Sequence, residues 1–200
     1  TRLRLRTTRL ELRLATVAEL RSLCRVAEAG IHDPAFMPFG VAWTDGLEET
    51  GFLDFHAGRL ADWQPEDWHL ELIVFFEGAT IGAQGLSARS FAGERVARTG
   101  SWLGQAWQGR GLGTEMRAAV LTLAFDELGA ERARSGAIAG NDASLAVSRK
   151  LAYEHVATHT VSPRREPVEH ADLELRRNRF ASPVPVQVEG LERVKAFFGV

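Results

Sequence analysis

Three glycines on alternate positions, in Gln108-Gly-Arg-Gly-Leu-Gly-Thr114, stand directly ahead of the most regular apolar pattern in the chain. From 111 to 128, Leu112, Met116, Ala119, Val120, Leu123, Ala124 and Leu128 share one helical face, and Gly129 is a ready stop. Alternate glycines let a backbone turn tightly and approach a ligand without interference from Cβ. The helix behind them offers about four unpaired N–H groups and the positive end of its dipole. Such a turn suits a phosphate or pyrophosphate, and Arg110 can add a charge-assisted contact. The same glycines could also serve only to pack the helix, so the spacing has to be tested against known phosphate patterns.

Two such patterns fail on residues. Gly104 to Gly109 has the glycine spacing of a Walker A loop, but Arg110 and Gly111 stand where Lys and Ser/Thr are needed. The dinucleotide fingerprint requires G-x-G-x-x-G, and here the glycines fall at 109, 111 and 113.

The surrounding chain reads as α/β. Leu10, Leu12 and Leu14 alternate with charged residues, which predicts a strand with one buried face. Thr16-Val-Ala-Glu19 has capping-box spacing, with Leu20, Leu23 and Ala27 following at helical intervals. A loop over 32–40 is broken by Pro34 and Pro38, and 46–63 reads as a weaker helix. Strands are predicted over 69–76, 80–87 and 95–103, with Glu77-Gly78 as a turn. A short strand over 133–138 precedes a helix capped by Asn141 or Asp142 and carrying Ala143, Ala146, Val147 and Leu151. Strands over 153–161 and 171–177 flank a turn at 163–169, and 190–198 reads as helical. The expectation is one domain over 1–200, with its core at about 8–162 and a C-terminal strand and tail at 163–200.

Bulk properties narrow the function. With 24 basic and 26 acidic residues the net charge is −2, so bulk electrostatics indicate neither nucleic acid nor a membrane surface as partner. No apolar run approaches the ~20 residues of a membrane span. Residues 1–14 lack the continuous apolar stretch of a signal peptide. The single cysteine, Cys24, reads as a buried structural residue in a reducing cytoplasm. His155 and His159 share a face if the strand is regular, but no further Cys, Asp or Glu pair completes a ligand set, so no metal is expected. The Arg2, Arg4, Arg6, Arg9 run reads as a solvated edge.

Gln108-x-x-Gly111-x-Gly113 resembles the Q/R-x-x-G-x-G/A motif of the GNAT family of N-acetyltransferases. About 26 residues beyond Glu115, Asn141-Asp-Ala-Ser-Leu-Ala-Val-Ser-Arg-Lys-Leu-Ala-Tyr153 resembles that family's N-x-x-S-x-x-x-x-x-K-L-G-F/Y motif. The pairing at this distance is far more specific than either half. The resemblance covers roughly residues 8–162, is strongest over 94–156, and is closest to the bacterial-type branch that acetylates ribosomal-protein N-termini.

The resemblance implies a mixed, mostly antiparallel sheet flanked by helices, with acetyl-coenzyme A held where two strands splay apart. Backbone groups of Trp102 and Leu103 would meet the pantetheine arm and acetyl carbonyl. Gln108, Gly109, Arg110, Gly111, Leu112, Gly113 and Thr114 would cradle the pyrophosphate. Asn141 would bond the pantetheine or the helix start, Ser144 would lie near the sulfur, Arg149 or Lys150 would reach nucleotide phosphates, and Tyr153 would sit beside the thioester. The leaving thiolate needs a hydroxyl, for which Ser144 and Tyr153 are the candidates, and the oxyanion needs an N–H donor near Leu103.

One departure affects the base. Where related enzymes often carry a glutamate, two positions ahead of Gly100, this chain has Arg98. Glu71, or His32 and Asp33, would have to substitute. Trp43, Trp63 and Trp68, with Phe36, Phe39 and Phe55, fall where the family builds its acceptor pocket, although plain core is the simpler reading. The expected function is transfer of acetyl to a primary amine, either a protein N-terminus or a small molecule, by an enzyme for which the resemblance allows a homodimer. The alternatives are a non-catalytic acyl-CoA sensor, favoured by the missing glutamate, and a different nucleotide-binding protein.

Overall fold

Leu5, Leu10 and Leu12 are buried while their neighbours Arg4, Arg6, Glu11 and Arg13 reach outward, which makes strands of β1 (Arg4–Arg6) and β2 (Leu10–Arg13). This is a computed structural model, and it describes residues 3–200. Helix α1 (Val17–Glu28) begins at Thr16 with a reciprocal cap: the Glu19 carboxylate accepts from the Thr16 amide at 2.8 Å, and Thr16 Oγ1 accepts from the Glu19 amide. Arg13 grips the same carboxylate at 2.7 and 3.0 Å, and this hydrogen bonding holds the Glu19 carboxyl at about 2.

α2 (Glu49–Ala61) follows the predicted loop. β3 (Asp67–Phe76) turns through Glu77 and Gly78, at φ 50 and 81, into β4 (Ala79–Arg89). A single turn, α3 (Phe91–Glu94), leads into β5 (Val96–Leu103). α4 (Leu112–Thr122) continues as a wider turn to Glu127 and stops at Gly129, φ 74. Then come β6 (Arg132–Ile138), α5 (Asp142–Lys150), β7 (Glu154–Val161), β8 (Val168–Arg176) and β9 (Gln187–Glu189).

The nine strands form one mixed sheet in the order β7-β8-β6-β5-β4-β3-β2-β1-β9, antiparallel throughout except for the β5–β6 pair. β3 feeds both faces. Leu70, Leu72 and Val74 pack with α4 in the larger core, while Ile73 and Phe75 pack with Leu23, Cys24 and Phe52 of α1 and α2. Burial of each such side chain contributes about 1.5–3 kcal/mol, so the double-sided strand anchors the two layers.

The structure corrects the sequence reading at several places. β1 and β9 were not expected as strands; each has three residues, and β1 pairs with β2 on one side and with the edge strand β9 on the other. The 190–198 tail is not a continuous helix but two single turns, 191–193 and 195–198, interrupted at Val194 with φ −127. It plugs Leu191, Val194 and Phe198 into the core, where Phe198 meets Trp63 and Trp68. His155 and His159 do not share a face: β7 bulges between His155 and Ala157, so His155 sits opposite Leu173 and His159 opposite His170. Of the arginine run, Arg2 lies outside the described residues, and Arg4 and Arg6 pair with Glu11 and Glu189 at the edge. Arg9 instead reaches the buried carboxylate of Glu115 in α4 at 2.6 and 2.7 Å. Among the described residues no helix is long and apolar enough to cross a membrane.

Candidate active site

β5 and β6 run side by side from Val96–Arg98 against Arg132–Arg134, and there the pairing stops. Beyond that seam the strands part around a cleft of about 650 Å³. Gly100, Ser101, Trp102 and Leu103 line one wall, and Ser135, Gly136 and Ala137 the other. The glycine turn, the first turns of α4 and α5, and the 31–40 loop enclose it.

The three glycines of the turn divide their work. Gly109 and Gly111 lie at φ 72 and 78, which an L side chain rarely adopts. A Cβ on Gly109 would meet nothing within 4 Å, so the backbone is open to a ligand there. Gly113 brings α4 against α5, since its Cβ position is 3.4 Å from Val147 Cγ2. α1 and α5 carry side-chain caps, but α4, like α2, has none, and Gly111, Gly113 and Thr114 at its start line the cleft.

Gln108 does not present its amide to the cleft as a donor; Nε2 gives hydrogen bonds at 2.7 Å to the carbonyls of both Ile31 and Leu103, tying the turn to β5 and to the loop after α1. Arg110 lies outside the cleft lining, its guanidinium over the rings of Phe76 and Trp107. Leu112 is buried in the core, while Thr114 lines the cleft. Asn141 caps α5 by accepting from the Ser144 amide at 3.1 Å, and its Nδ2 reaches the Pro38 carbonyl at 3.5 Å. Ser144 and Lys150 both line the cleft. Tyr153 does not; its hydroxyl sits 3.3 Å from Thr99 Oγ1, and burial pushes its pKa up.

A buried arginine completes the interior wall. Arg117 of α4 lines the cleft, donates to Ser148 Oγ at 2.9 Å and lies 3.3 Å from Ser101 Oγ, and leaves its Nε without a partner. Burial pulls its pKa below the ordinary value, yet a guanidinium stays charged in a protein. It makes no ion pair among the described residues. The sequence reading passed over this residue. Its signal was a lone cation one position past Met116, inside the apolar run.

On the opposite face of the sheet, Glu71, Gly85 and Gly100 stand in one cross-strand row. The Glu71 carboxylate leans over Gly85, 3.0 Å from where a Cβ would be, and lies 3.2 Å from His69 Nε2. Neither Glu71 nor His69 is part of the cleft lining. His32 and Asp33 are, but His32 is bonded at both ring nitrogens, to the Asp33 carbonyl and to Thr44 Oγ1 at 2.8 Å, and Asp33 accepts from the Ala35 amide. Phe36 and Phe39 line the cleft, and Phe39, Trp43 and Trp102 stack in series beside it; Trp63 and Trp68 stack in the core, and Phe55 is exposed.

A splayed strand pair, an uncapped helix behind a glycine turn and an unpaired buried cation together fit a diphosphate-bearing thioester. The family model for the acetyltransferase (GNAT) domain matches residues 9–154. The chain belongs to the GNAT acetyltransferase family. As a member it is an acetyl-CoA-dependent acetyltransferase. Solved GNAT-like structures share the fold. Mycobacterium smegmatis RimJ in complex with CoA-disulfide has a TM-score of 0.73 at 18% identity, covering 86% of this chain and 85% of that one. RimL, a ribosomal L7/L12 α-N-protein acetyltransferase in complex with coenzyme A, has a TM-score of 0.72 at 17% identity, covering 84% and 94%. The microcin C7 self immunity acetyltransferase MccE, in complex with acetyl-CoA and AMP, has a TM-score of 0.70 at 15% identity, covering 84% and 93%. The GNAT turn, cleft and strand gap of this chain therefore lie in a fold that carries coenzyme A in other proteins.

Proposed function

We propose that this acetyltransferase acetylates the α-amino group of a peptide or protein, by direct attack of the amine on bound acetyl-CoA. The observation that carries the reading is the parting of β5 from β6 beside the uncapped start of α4. The Gly109–Thr114 amides would hold the pyrophosphate, and Lys150 at the end of α5 would meet the nucleotide phosphates. The free edge of β5 at Trp102 and Leu103 would bond the pantetheine and the acetyl oxygen. Cys24, the one thiol of the sequence, is buried in α1 and outside the cleft lining, which supports direct attack over a cysteinyl acyl-enzyme.

In the chemical step the amine nitrogen bonds to the acetyl carbon and the carbon–sulfur bond breaks. The amine proton goes to a base and the thiolate takes a proton or a counter-charge. Glu71, backed by His69, is the base this reading assigns, acting through water across the Gly85–Gly100 floor. Ser144 is the cleft hydroxyl for the thiolate, and Arg117 supplies the positive charge behind it. Tyr153 stays protonated behind β5 and supports Thr99.

Arg98 replaces a carboxylate at the usual base position, and this favours an acceptor that needs little help losing its proton. Near pH 7.5 roughly a third of α-amino groups are neutral, against about 0.1% of lysyl amines. The names of RimL and RimJ agree with an α-amino acceptor. A panel of free-N-terminus peptides, Nα-blocked lysyl peptides and polyamines, read by CoA thiol release and product mass, tests this. Free N-termini should turn over fastest. Faster turnover of blocked lysyl peptides would reject the acceptor class. Tight CoA binding with no thiol release from any amine would point to the sensor alternative.

A further inference from the structure

The hairpin of β7 and β8 gathers a second group of chemical side chains at the edge of the cleft. His159 and His170 are direct cross-strand partners, and Asp172 follows His170 by two residues on the same face. Their rings lie 4.8 Å apart, centroid to centroid. His159 Nδ1 is 3.1 Å from one Asp172 oxygen, and His170 Nδ1 is 3.4 Å from the other. One ligand atom from each residue falls within a sphere in which all separations are 4.8 Å or less.

The His170 nitrogen sets this group apart from an ordinary surface ion pair. Nδ1 is buried and has no hydrogen bond among the described residues, although it lies 3.4 Å from an Asp172 oxygen. Buried polar atoms without partners are uncommon and call for an occupant. The ring is also seated firmly. A Cβ on residue 136 would come 2.7 Å from its Nε2, so glycine at that place in β6 is what gives the imidazole its room.

We propose that His159, His170 and Asp172 form a site for a divalent transition-metal ion, with zinc the best chemical match. Two imidazole nitrogens and one carboxylate oxygen are ligands of borderline softness, which suit Zn²⁺ better than Ca²⁺ or Mg²⁺. Ligands about 2.0–2.2 Å from a tetrahedral ion stand about 3.3–3.6 Å from one another. The two nitrogen–oxygen separations, 3.1 and 3.4 Å, run to the two different Asp172 oxygens, so a small turn of the carboxylate is needed to set one oxygen at that edge length from both imidazoles. The nitrogen–nitrogen pair lies within 4.8 Å, and rotation of His159, the more exposed of the two histidines, is the movement that would close it. The fourth position is open, and because His170 also lines the cleft it lies at the rim of the site where acetyl transfer is proposed.

The β7 bulge separates His155 from the set. It turns His155 to the other face and leaves His159 with His170 and Asp172, so residue spacing could not disclose the ligands. The site is independent of the acetyl-transfer reading, and its test does not use activity.

Tag-free protein, stripped with chelator and dialysed against zinc chloride, should hold one zinc per chain by elemental mass spectrometry. His159→Ala and Asp172→Asn should each weaken binding at least about tenfold. His155→Ala, on the opposite face, should leave it unchanged. Cobalt(II) loading should give the visible absorption of a tetrahedral nitrogen–oxygen site, lost in His159→Ala. Substoichiometric zinc in the parent protein, or equal retention by His159→Ala, would overturn the proposal.

Discussion

Arg117 carries a full positive charge into a wall of the cleft where the described residues supply it with two serine hydroxyls and no carboxylate. A buried cation of this kind costs stability unless something anionic arrives. Arg117→Met, of similar length and no charge, should therefore lower kcat by about tenfold to a hundredfold while the melting temperature holds or rises. Steady-state kinetics beside a thermal melt reads both, and an unchanged kcat would remove the charge from the mechanism. Gly111 adopts φ 78 at the turn, with Arg9 Nη2 3.6 Å from where its Cβ would sit. Gly111→Asp adds strain and a carboxylate at the proposed diphosphate site, so CoA binding in calorimetry should vanish; retained micromolar affinity would contradict the cradle. Glu19 gives a pH signature. Its folded pKa of about 2 lies below the ordinary value of 4.5, so its contribution is full above pH 4.5 and is lost as the pH falls toward 2. Solvent screening of a side chain 30% exposed keeps that contribution to about 1–2 kcal/mol. Urea midpoints at pH 5 and pH 3 should converge in Glu19→Gln relative to the parent protein.

At the level of elements, α5 depends on one side chain at its start. Asn141 supplies the cap and also tethers the helix to the Pro38 carbonyl, across the mouth of the cleft. Asn141→Ala should cost about 1 kcal/mol, a fall of about 2–4 °C in melting temperature, and Asn141→Asp should recover most of it. α1, α4 and α5 were legible in the sequence because their signals are local: a Thr16–Glu19 box, a seven-residue apolar face, an Asn141 cap. The glycine turn was legible for the same reason. What could not be read depends on distant pairing. β1 and β9 are three residues each and exist as strands through pairing, β1 with β2 and β9 with β1. The β7 bulge changes which histidine faces which neighbour, and register is set by the partner strand, not by spacing. Gln108 lines the cleft, but the bonds of its side chain, to the end of β5 and to a loop residue 77 positions away, could not be read from spacing.

For the molecule as a whole, a ligand that fills the gap between β5 and β6 joins parts of the sheet that have little else in common. Acetyl-CoA at 100 times its Kd should stabilise the fold by about 2.7 kcal/mol, or roughly 5–10 °C in melting temperature for a chain of this size. NAD and ATP at the same concentration should give far smaller shifts, and equal shifts would reopen the broader nucleotide-binding reading. Arg9 and Glu115 stand 106 residues apart in the chain, yet they meet behind the glycine turn, with the Arg9 side chain also on the Arg110 carbonyl. That contact has a kinetic meaning. The turn acquires its final shape late in folding, once the opening segment has docked, because so long a loop must close before the ion pair can form. A refolding chain should regain its helical circular dichroism before it regains affinity for coenzyme A, and the lag between them would time the arrival of a single arginine.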